Sequence, residues 1–308
     1  MLNNDKLNTG GFLMKKPIFE GAAVAIITPY TDNGVNFEEL GRIVEDQIKG
    51  GTDAIVVTGT TGESATMTDE EHRATIKYVV EKVNGRIPVI AGTGSNETAY
   101  AIELSQYAEK VGADALLVVT PYYNKCTQKG LIAHYTAIAD VVNIPIILYD
   151  VPSRTGVGIA TETYVELAKH KNIAAVKEAN GDLSKILRLK AAVGDDLVIY
   201  SGNDDQIVPI LSLGGKGVIS VLSNVAPQET HDMCQAYFDG DVKKAAAMQI
   251  AYTDLIDALF AEVNPIPVKV AMRKLGYAAG PLRMPLCEME PEHEAQLEAA
   301  LRNHGLIK

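Results

Sequence analysis

Eight short, apolar, β-branched runs begin near Gly21, Ala54, Pro88, Ala115, Pro145, Ile173, Leu197 and Gly217, at intervals of roughly 20 to 33 residues. A run that is apolar at every position reads as a strand buried on both faces, the kind found in parallel sheets. Between the runs, segments 37–50, 69–84, 97–111, 128–142, 162–170, 183–193, 204–213 and 227–239 carry apolar residues at helical spacing among good helix formers. Eight of each predicts an α/β chain closed into a (β/α)8 TIM barrel, a fold of roughly 250 residues that fits within 308. An open doubly wound sheet would carry a glycine-rich turn directly after its first strand, and here Thr28-Pro29-Tyr30 stands there.

The barrel is expected over 16–240. Residues 241–308 read as a C-terminal helical subdomain of three helices, broken near Val263-Asn264-Pro265 and Gly280-Pro281 and packed on the barrel's side. Residues 1–15 read as a disordered extension ahead of or around a second possible start at Met14; they lack the basic n-region and apolar stretch of a secretory signal.

A net charge of −11 is a poor match for nucleic acid, whose phosphates call for a basic footprint. Hydrophobic residues make up 47%, enough for a large core, with no apolar run near the ~20 residues of a membrane span. Three widely spaced cysteines, Cys126, Cys234 and Cys287, give neither a disulfide framework nor a CxxC zinc site, which fits a reducing cytoplasm. No HExxH appears among the six histidines, so no metal is expected. Cys126 has no histidine near it in sequence to make it a nucleophile.

Chemistry in such barrels sits at the C-terminal ends of the strands. Polar residues gather there: Thr58-Gly59-Thr60-Thr61-Gly62-Glu63-Ser64, Thr120-Pro121-Tyr122-Tyr123-Asn124, Tyr149-Asp150-Val151-Pro152-Ser153-Arg154, Val176-Lys177-Glu178-Ala179 and Ser201-Gly202-Asn203. Gly214-Gly215-Lys216-Gly217 precedes a strand instead, which puts it on the opposite, structural face.

Lys177 closes the run Ile173-Ala174-Ala175-Val176, so its side chain enters a crowded barrel mouth. Taking an ammonium out of water disfavours its charged form, the condition for an amine that attacks a carbonyl. Taken alone, a strand-end lysine is more often solvated or paired, here with Glu178. Tyr149, Tyr123 and Thr60, from three strand ends expected to converge on the same mouth, offer neutral hydroxyls for the proton transfers that imine chemistry needs. The Gly59-Thr60-Thr61-Gly62 turn offers backbone N–H groups and hydroxyls to a 2-oxo acid carboxylate. Arg154, after a Pro-Ser turn, can hold a second carboxylate bidentately.

In this order and spacing, GTTGES (59–64), PYYN (121–124), LYDVPSRTG (148–156), VKEA (176–179) and SGND (201–204) resemble 4-hydroxy-tetrahydrodipicolinate synthase (dihydrodipicolinate synthase), of the N-acetylneuraminate lyase superfamily, from about Phe19 to the C-terminus. The resemblance implies a lyase in which Lys177 forms a Schiff base with pyruvate and Thr60, Tyr149 and Tyr123 relay protons, Tyr123 reaching into a neighbouring subunit's site. It implies further that Thr61 binds the pyruvate carboxylate, Arg154 the carboxylate of aspartate semialdehyde, and that Gly202 and Ile219 present backbone carbonyls nearby. No cofactor is implied. A homotetramer built from two tight dimers is implied, and a lysine-binding allosteric pocket maps to Ser64, Ala65, His72, Asn96 and Tyr122. There the chain departs from the pattern: Asp69 stands where histidine is common, and Tyr100 where a glutamate would pair with lysine's amino group, which argues for weak or absent feedback.

Other pyruvate-dependent aldolases of the superfamily, sialic acid lyases and 2-keto-3-deoxy sugar acid aldolases, share the lysine and the strand-five tyrosine. Thr61, Tyr122-Tyr123 and Arg154 favour a short substrate carrying its own carboxylate. A barrel that only binds metabolites would leave these strand-end residues unexplained.

Overall fold

A computed structural model describes residues 15–308. The extension expected over 1–15 lies outside these residues except for Lys15, which is anchored: its Nζ donates to the carbonyls of Ala168, His170 and Ile173 at 3.1, 2.6 and 2.8 Å.

Eight parallel strands close into a barrel in chain order. They are β1 (Gly21–Ala25), β2 (Ala54–Val57), β3 (Val89–Gly92), β4 (Ala115–Val119), β5 (Ile146–Asp150), β6 (Ile173–Glu178), β7 (Val198–Ser201) and β8 (Gly217–Ser220). Each begins within one residue of its expected position, because buried parallel strands are legible as unbroken apolar runs. The helices between them follow the predicted segments, from Phe37–Lys49 through Pro227–Phe238. Only 204–213 differs in kind, a 3-10 turn Asp204–Gln206 leading into the short helix Ile207–Ser212.

Side chains alternate along each strand between the barrel interior and the helical layer. Ala23, Ala25, Val56, Leu117, Ile147, Ala175, Val198 and Ile219 share the interior cluster. Val24, Ile55, Val57, Leu116, Val118, Leu148 and Val176 pack outward with the helices. Phe19 closes the bottom, stacked on Tyr200 with centroids 4.3 Å apart, and the Tyr200 hydroxyl donates to the Phe19 carbonyl at 2.8 Å. The glycine-rich stretch 214–217 also lies on this face. A Cβ at Gly217 would come within 2.0 Å of the Gly21 carbonyl oxygen, so the glycine serves the closing of the barrel between β8 and β1.

Beyond the barrel there are four helices where three were expected: Val242–Ala251, Thr253–Leu259, Ile266–Lys274 and Pro291–Asn303. The expected first helix splits at Tyr252, where short polar side chains compete for backbone groups. Thr253 Oγ1 donates to the Gln249 carbonyl at 3.3 Å, and Asp254 Oδ1 accepts from Leu255 N at 2.9 Å. These helices do more than flank the barrel. Leu255, Val268, Leu297 and Leu301 join the apolar cluster of the barrel helices, and the segment between the second and third helices reaches over the mouth. No helix among the described residues is long and apolar enough to cross a membrane.

Candidate active site

At the C-terminal end of the barrel a cavity of about 200 Å³ is lined by Thr60, Thr61, Tyr149, Arg154, Lys177 and Gly202, joined by Asn203, Val221, Phe260 and Asn264. Strand register explains the central pair. Tyr149 and Lys177 are direct partners across β5 and β6, both pointing inward. Lys177 is 6% exposed, and its Nζ lies over the Tyr149 ring, 4.4 Å from the centroid. It takes part in none of the ion pairs among the described residues; the carboxylate next to it in sequence, Glu178, points the other way and, like Asp150 on the neighbouring strand, faces Lys185.

The same register places Asp150 and Glu178 side by side on the outer face. The pairing of Lys177 with Glu178 considered from sequence is therefore wrong, since adjacent strand residues face opposite sides. Instead, Lys185 Nζ is 2.6 Å from Asp150 Oδ2 and 4.0 Å from Glu178 Oε1. Tyr164 Oη donates to Glu178 Oε1 at 2.7 Å, and Asn180 Nδ2 donates to Glu178 Oε2. Burial, followed by the neighbouring Asp150 charge, pushes the Glu178 carboxyl up to about 7.

Gly202 is required by close approach. A Cβ there would sit 2.7 Å from the Ala179 Cβ, 3.0 Å from the Glu178 carbonyl oxygen and 3.1 Å from Lys177 Cε. Thr61 and Arg154 are joined through Asn264: Asn264 Nδ2 donates to Thr61 Oγ1 at 3.0 Å, and Arg154 Nη2 donates to the Asn264 carbonyl at 3.1 Å. Ile219 lies within the barrel interior, in register with Ala23, and Val221 takes the place on the cavity wall at the end of β8.

Tyr123 does not converge with Tyr149 and Thr60 within the chain. It is 91% exposed, on a loop where its φ of 68° is left-handed, a conformation uncommon for non-glycine residues. A second recess of about 50 Å³ opens beside the cavity, between Thr60, Ser64, Gly94, Val119 and Tyr149.

Of the residues mapped to an effector pocket, Ser64 and Ala65 lie on a 3-10 turn, and buried His72 places Nε2 2.9 Å from the Gly92 carbonyl. Asn96 Nδ2 donates to the Tyr122 carbonyl at 3.2 Å. Tyr100 Oη donates to Asp69 Oδ1 at 2.9 Å, and Arg73 Nε lies 2.7 Å from Asp69 Oδ2. The Arg73 hydrogen bond holds the Asp69 carboxyl below its usual range, while desolvation and the bond to Asp69 push the Tyr100 phenol up to about 12.

Sequence reasoning missed three residues at the site. Asn264 and Phe260 come from beyond the barrel, and no local signal marks them. Asp204, although within the SGND motif, received no role: it is buried, and its Oδ2 accepts from Val221 N and Leu222 N at 2.9 and 2.8 Å, fastening the end of β8 to that of β7. Burial raises its carboxyl, with those hydrogen bonds and the Lys177 charge acting against the rise.

Comparison with known proteins identifies this constellation. The model of the Dihydrodipicolinate synthetase family matches residues 18–304. The chain belongs to that family. A 4-hydroxy-tetrahydrodipicolinate synthase of Thermoanaerobacter sp. (strain X514) is 56% identical over 95% of this chain and 99% of its own length. The crystal structure of dihydrodipicolinate synthase from Aquifex aeolicus superposes with a TM-score of 0.92 at 45% identity, covering 94% of this chain and 99% of that one. The Acinetobacter baumannii dihydrodipicolinate synthase, solved with pyruvate, gives 0.90 at 43% identity over 94% of this chain and 99% of that one. Family membership thus agrees with the barrel and with the polar residues at its mouth.

Proposed function

We propose that Lys177 is the Schiff-base nucleophile of the family reaction, the condensation of pyruvate with L-aspartate 4-semialdehyde to 4-hydroxy-tetrahydrodipicolinate, a lyase step in the diaminopimelate route to lysine. The observation that carries this reading is a buried lysine outside every ion pair among the described residues, opposite an inward tyrosine, in a cavity also lined by Thr61 and Arg154, whose donors suit carboxylates.

The Lys177 amine adds to the pyruvate keto carbon, and loss of water leaves an iminium. Removal of a methyl proton gives the enamine, whose carbon attacks the aldehyde carbon of the semialdehyde, and the resulting alkoxide takes up a proton. The substrate's own amine then adds to the iminium carbon and expels Lys177 as the ring closes. Tyr149 and Thr60, which share the cavity wall with Lys177, serve the proton transfers. Thr61 serves the pyruvate carboxylate and Arg154 the semialdehyde carboxylate, with Gly202 making room at the lysine.

The third relay hydroxyl comes from the partner subunit's Tyr123. This reading is supported by the exposed tyrosine, which finds no site in its own chain, and by the recess beside Thr60 and Tyr149 where a phenol from outside would meet both. The working form is then a homotetramer in which each tight dimer completes its sites. The three cysteines are free thiols, in keeping with the reducing cytoplasm. Asp69, already engaged by Arg73 and Tyr100, and the missing glutamate at 100 support weak or absent feedback by lysine.

Borohydride reduction with pyruvate should add the adduct mass at Lys177, and Lys177→Ala should abolish it. An assay coupled to an NADPH-dependent reductase should give turnover with the semialdehyde that sub-millimolar lysine leaves unchanged. Turnover of sugar acids alone would overturn the substrate assignment.

A further inference from the structure

Asn264 lies between the helices Thr253–Leu259 and Ile266–Lys274, yet it lines the cavity and is 6% exposed. It touches Thr61 through its side chain, 203 positions away in the chain, and Arg154 through its main-chain carbonyl. One residue of the C-terminal segment thus contacts both groups assigned to the two substrate carboxylates.

The polarity of the first contact has a chemical consequence. A hydroxyl has one proton to donate and lone pairs to accept with. Because Thr61 Oγ1 accepts from the amide, its own proton is left for a carboxylate in the cavity. The opposite amide orientation would make Thr61 give that proton to Asn264. It would also put N–H donors where Oδ1 now lies buried without a partner, and a stranded donor is rarer in proteins than an under-satisfied acceptor. The contact to Arg154 engages one terminal nitrogen through the backbone, and the rest of the guanidinium fork stays available to a second carboxylate.

We propose that Asn264 is a positioning residue for keto-acid binding, its amide setting the Thr61 hydroxyl as a donor toward the pyruvate carboxylate while its main-chain carbonyl steadies Arg154. This rests on the roles given to Lys177 and Thr61 above.

Asn264→Asp keeps the shape but replaces the donor with an acceptor, so Thr61 turns its proton away from the cavity and a negative charge faces the substrate carboxylate. The pyruvate concentration that half-saturates borohydride trapping at Lys177 should rise about tenfold or more, as for loss of a hydrogen bond to a charged group, with full adduct still reached at saturation. Asn264→Ala, which removes the donor without adding charge, should raise it by less. KM for the semialdehyde should move less than that for pyruvate in both, because the Arg154 contact is made by the main chain. On a Thr61→Val background Asn264→Ala, which adds no charge, should add little, while Asn264→Asp should keep only the part of its penalty that comes from its charge. Full adduct at unshifted pyruvate in the Asp and Ala variants, or an equal penalty from Asn264→Ala with and without the Thr61 hydroxyl, would overturn the proposal. Absence of any adduct on the unaltered protein would overturn the Lys177 assignment, and this proposal with it.

Discussion

At the scale of single residues, Lys177 and Tyr149 were readable because a polar residue closing an apolar strand run must emerge at the barrel mouth. Gly202 was readable only as a family match, since its reason is a distance: a Cβ there meets the Ala179 Cβ at 2.7 Å and Lys177 Cε at 3.1 Å. All three nearest atoms belong to the strand end that carries the nucleophile, and one of them, the Glu178 carbonyl oxygen, accepts from the Gly202 N–H at 2.7 Å. The backbone cannot retreat without straining that bond, and Ala179 Cβ cannot swing aside, so the strand end shifts and takes the lysine side chain with it. Gly202→Ala should therefore lower the rate of pyruvate adduct formation by roughly 10- to 100-fold, the order expected for misplacing a reacting group by about 1 Å. Stability should fall as well, by about 1–3 kcal/mol, because Ala179 Cβ and the Glu178 carbonyl are fixed by the strand end. Stopped trapping time courses on the two proteins, with a thermal midpoint for each, would test this; an unchanged rate would show that the amine has room to spare.

At the scale of elements, β5 and β6 carry two functions back to back. Their inward residues form the reactive pair, and their outward residues Asp150 and Glu178 form a buried acidic pair served by Lys185, Tyr164 and Asn180. Strand alternation applied to Lys177 would have placed Glu178 outside; the identities of Tyr164 and Lys185 as its partners, on two different helices, were beyond what local pattern can give. The pair has a measurable signature. Glu178 holds its proton up to about 7 in the folded protein because burial and Asp150 disfavour its charge, whereas the unfolded chain releases that proton near the ordinary glutamate value. Between those two values the folded state binds more protons than the unfolded one, so stability falls as pH rises through the window and levels off above about 7. The slope from this group is at most about 1.4 kcal/mol per pH unit. Glu178→Gln, which remains neutral and still accepts from Tyr164, should remove that slope. Urea midpoints at several pH values between 5 and 8 would show it, and parallel pH profiles for the two proteins would mean that Glu178 is not the group responsible.

At the scale of the whole molecule, the rhythm of eight βα units was legible because each strand and helix announces its own burial pattern. The way the C-terminal helices grip the mouth was not, because its contacts join residues some two hundred positions apart. The grip centres on Glu63, at the end of the loop that carries Thr60 and Thr61. Glu63 sits in the left-handed region at φ 55°, a conformation that costs a non-glycine residue about 1–2 kcal/mol. Its carboxylate is held by Lys269 Nζ at 2.7 Å and by the Arg283 backbone N–H at 3.1 Å, while Lys269 also donates to the Pro281 carbonyl at 2.7 Å. Lys269 and Arg283 flank the Tyr30 ring from 4.8 and 3.9 Å, tying the first loop of the barrel into the same joint. Both ends of the Lys269–Glu63 pair are buried, so removing one leaves a buried charge without its ion-pair partner. Lys269→Met should cost about 3–5 kcal/mol, and adding Glu63→Gln, which keeps an acceptor for the Arg283 N–H while removing the stranded charge, should restore part of it. Pyruvate affinity should weaken along with stability in the single variant, since the same loop presents Thr61. Denaturant midpoints and trapping half-saturation, measured on both variants, test the joint as a unit: a single variant as stable as the double, or one that loses stability while binding pyruvate normally, would mean that the C-terminal helices brace the barrel without setting the geometry of its mouth.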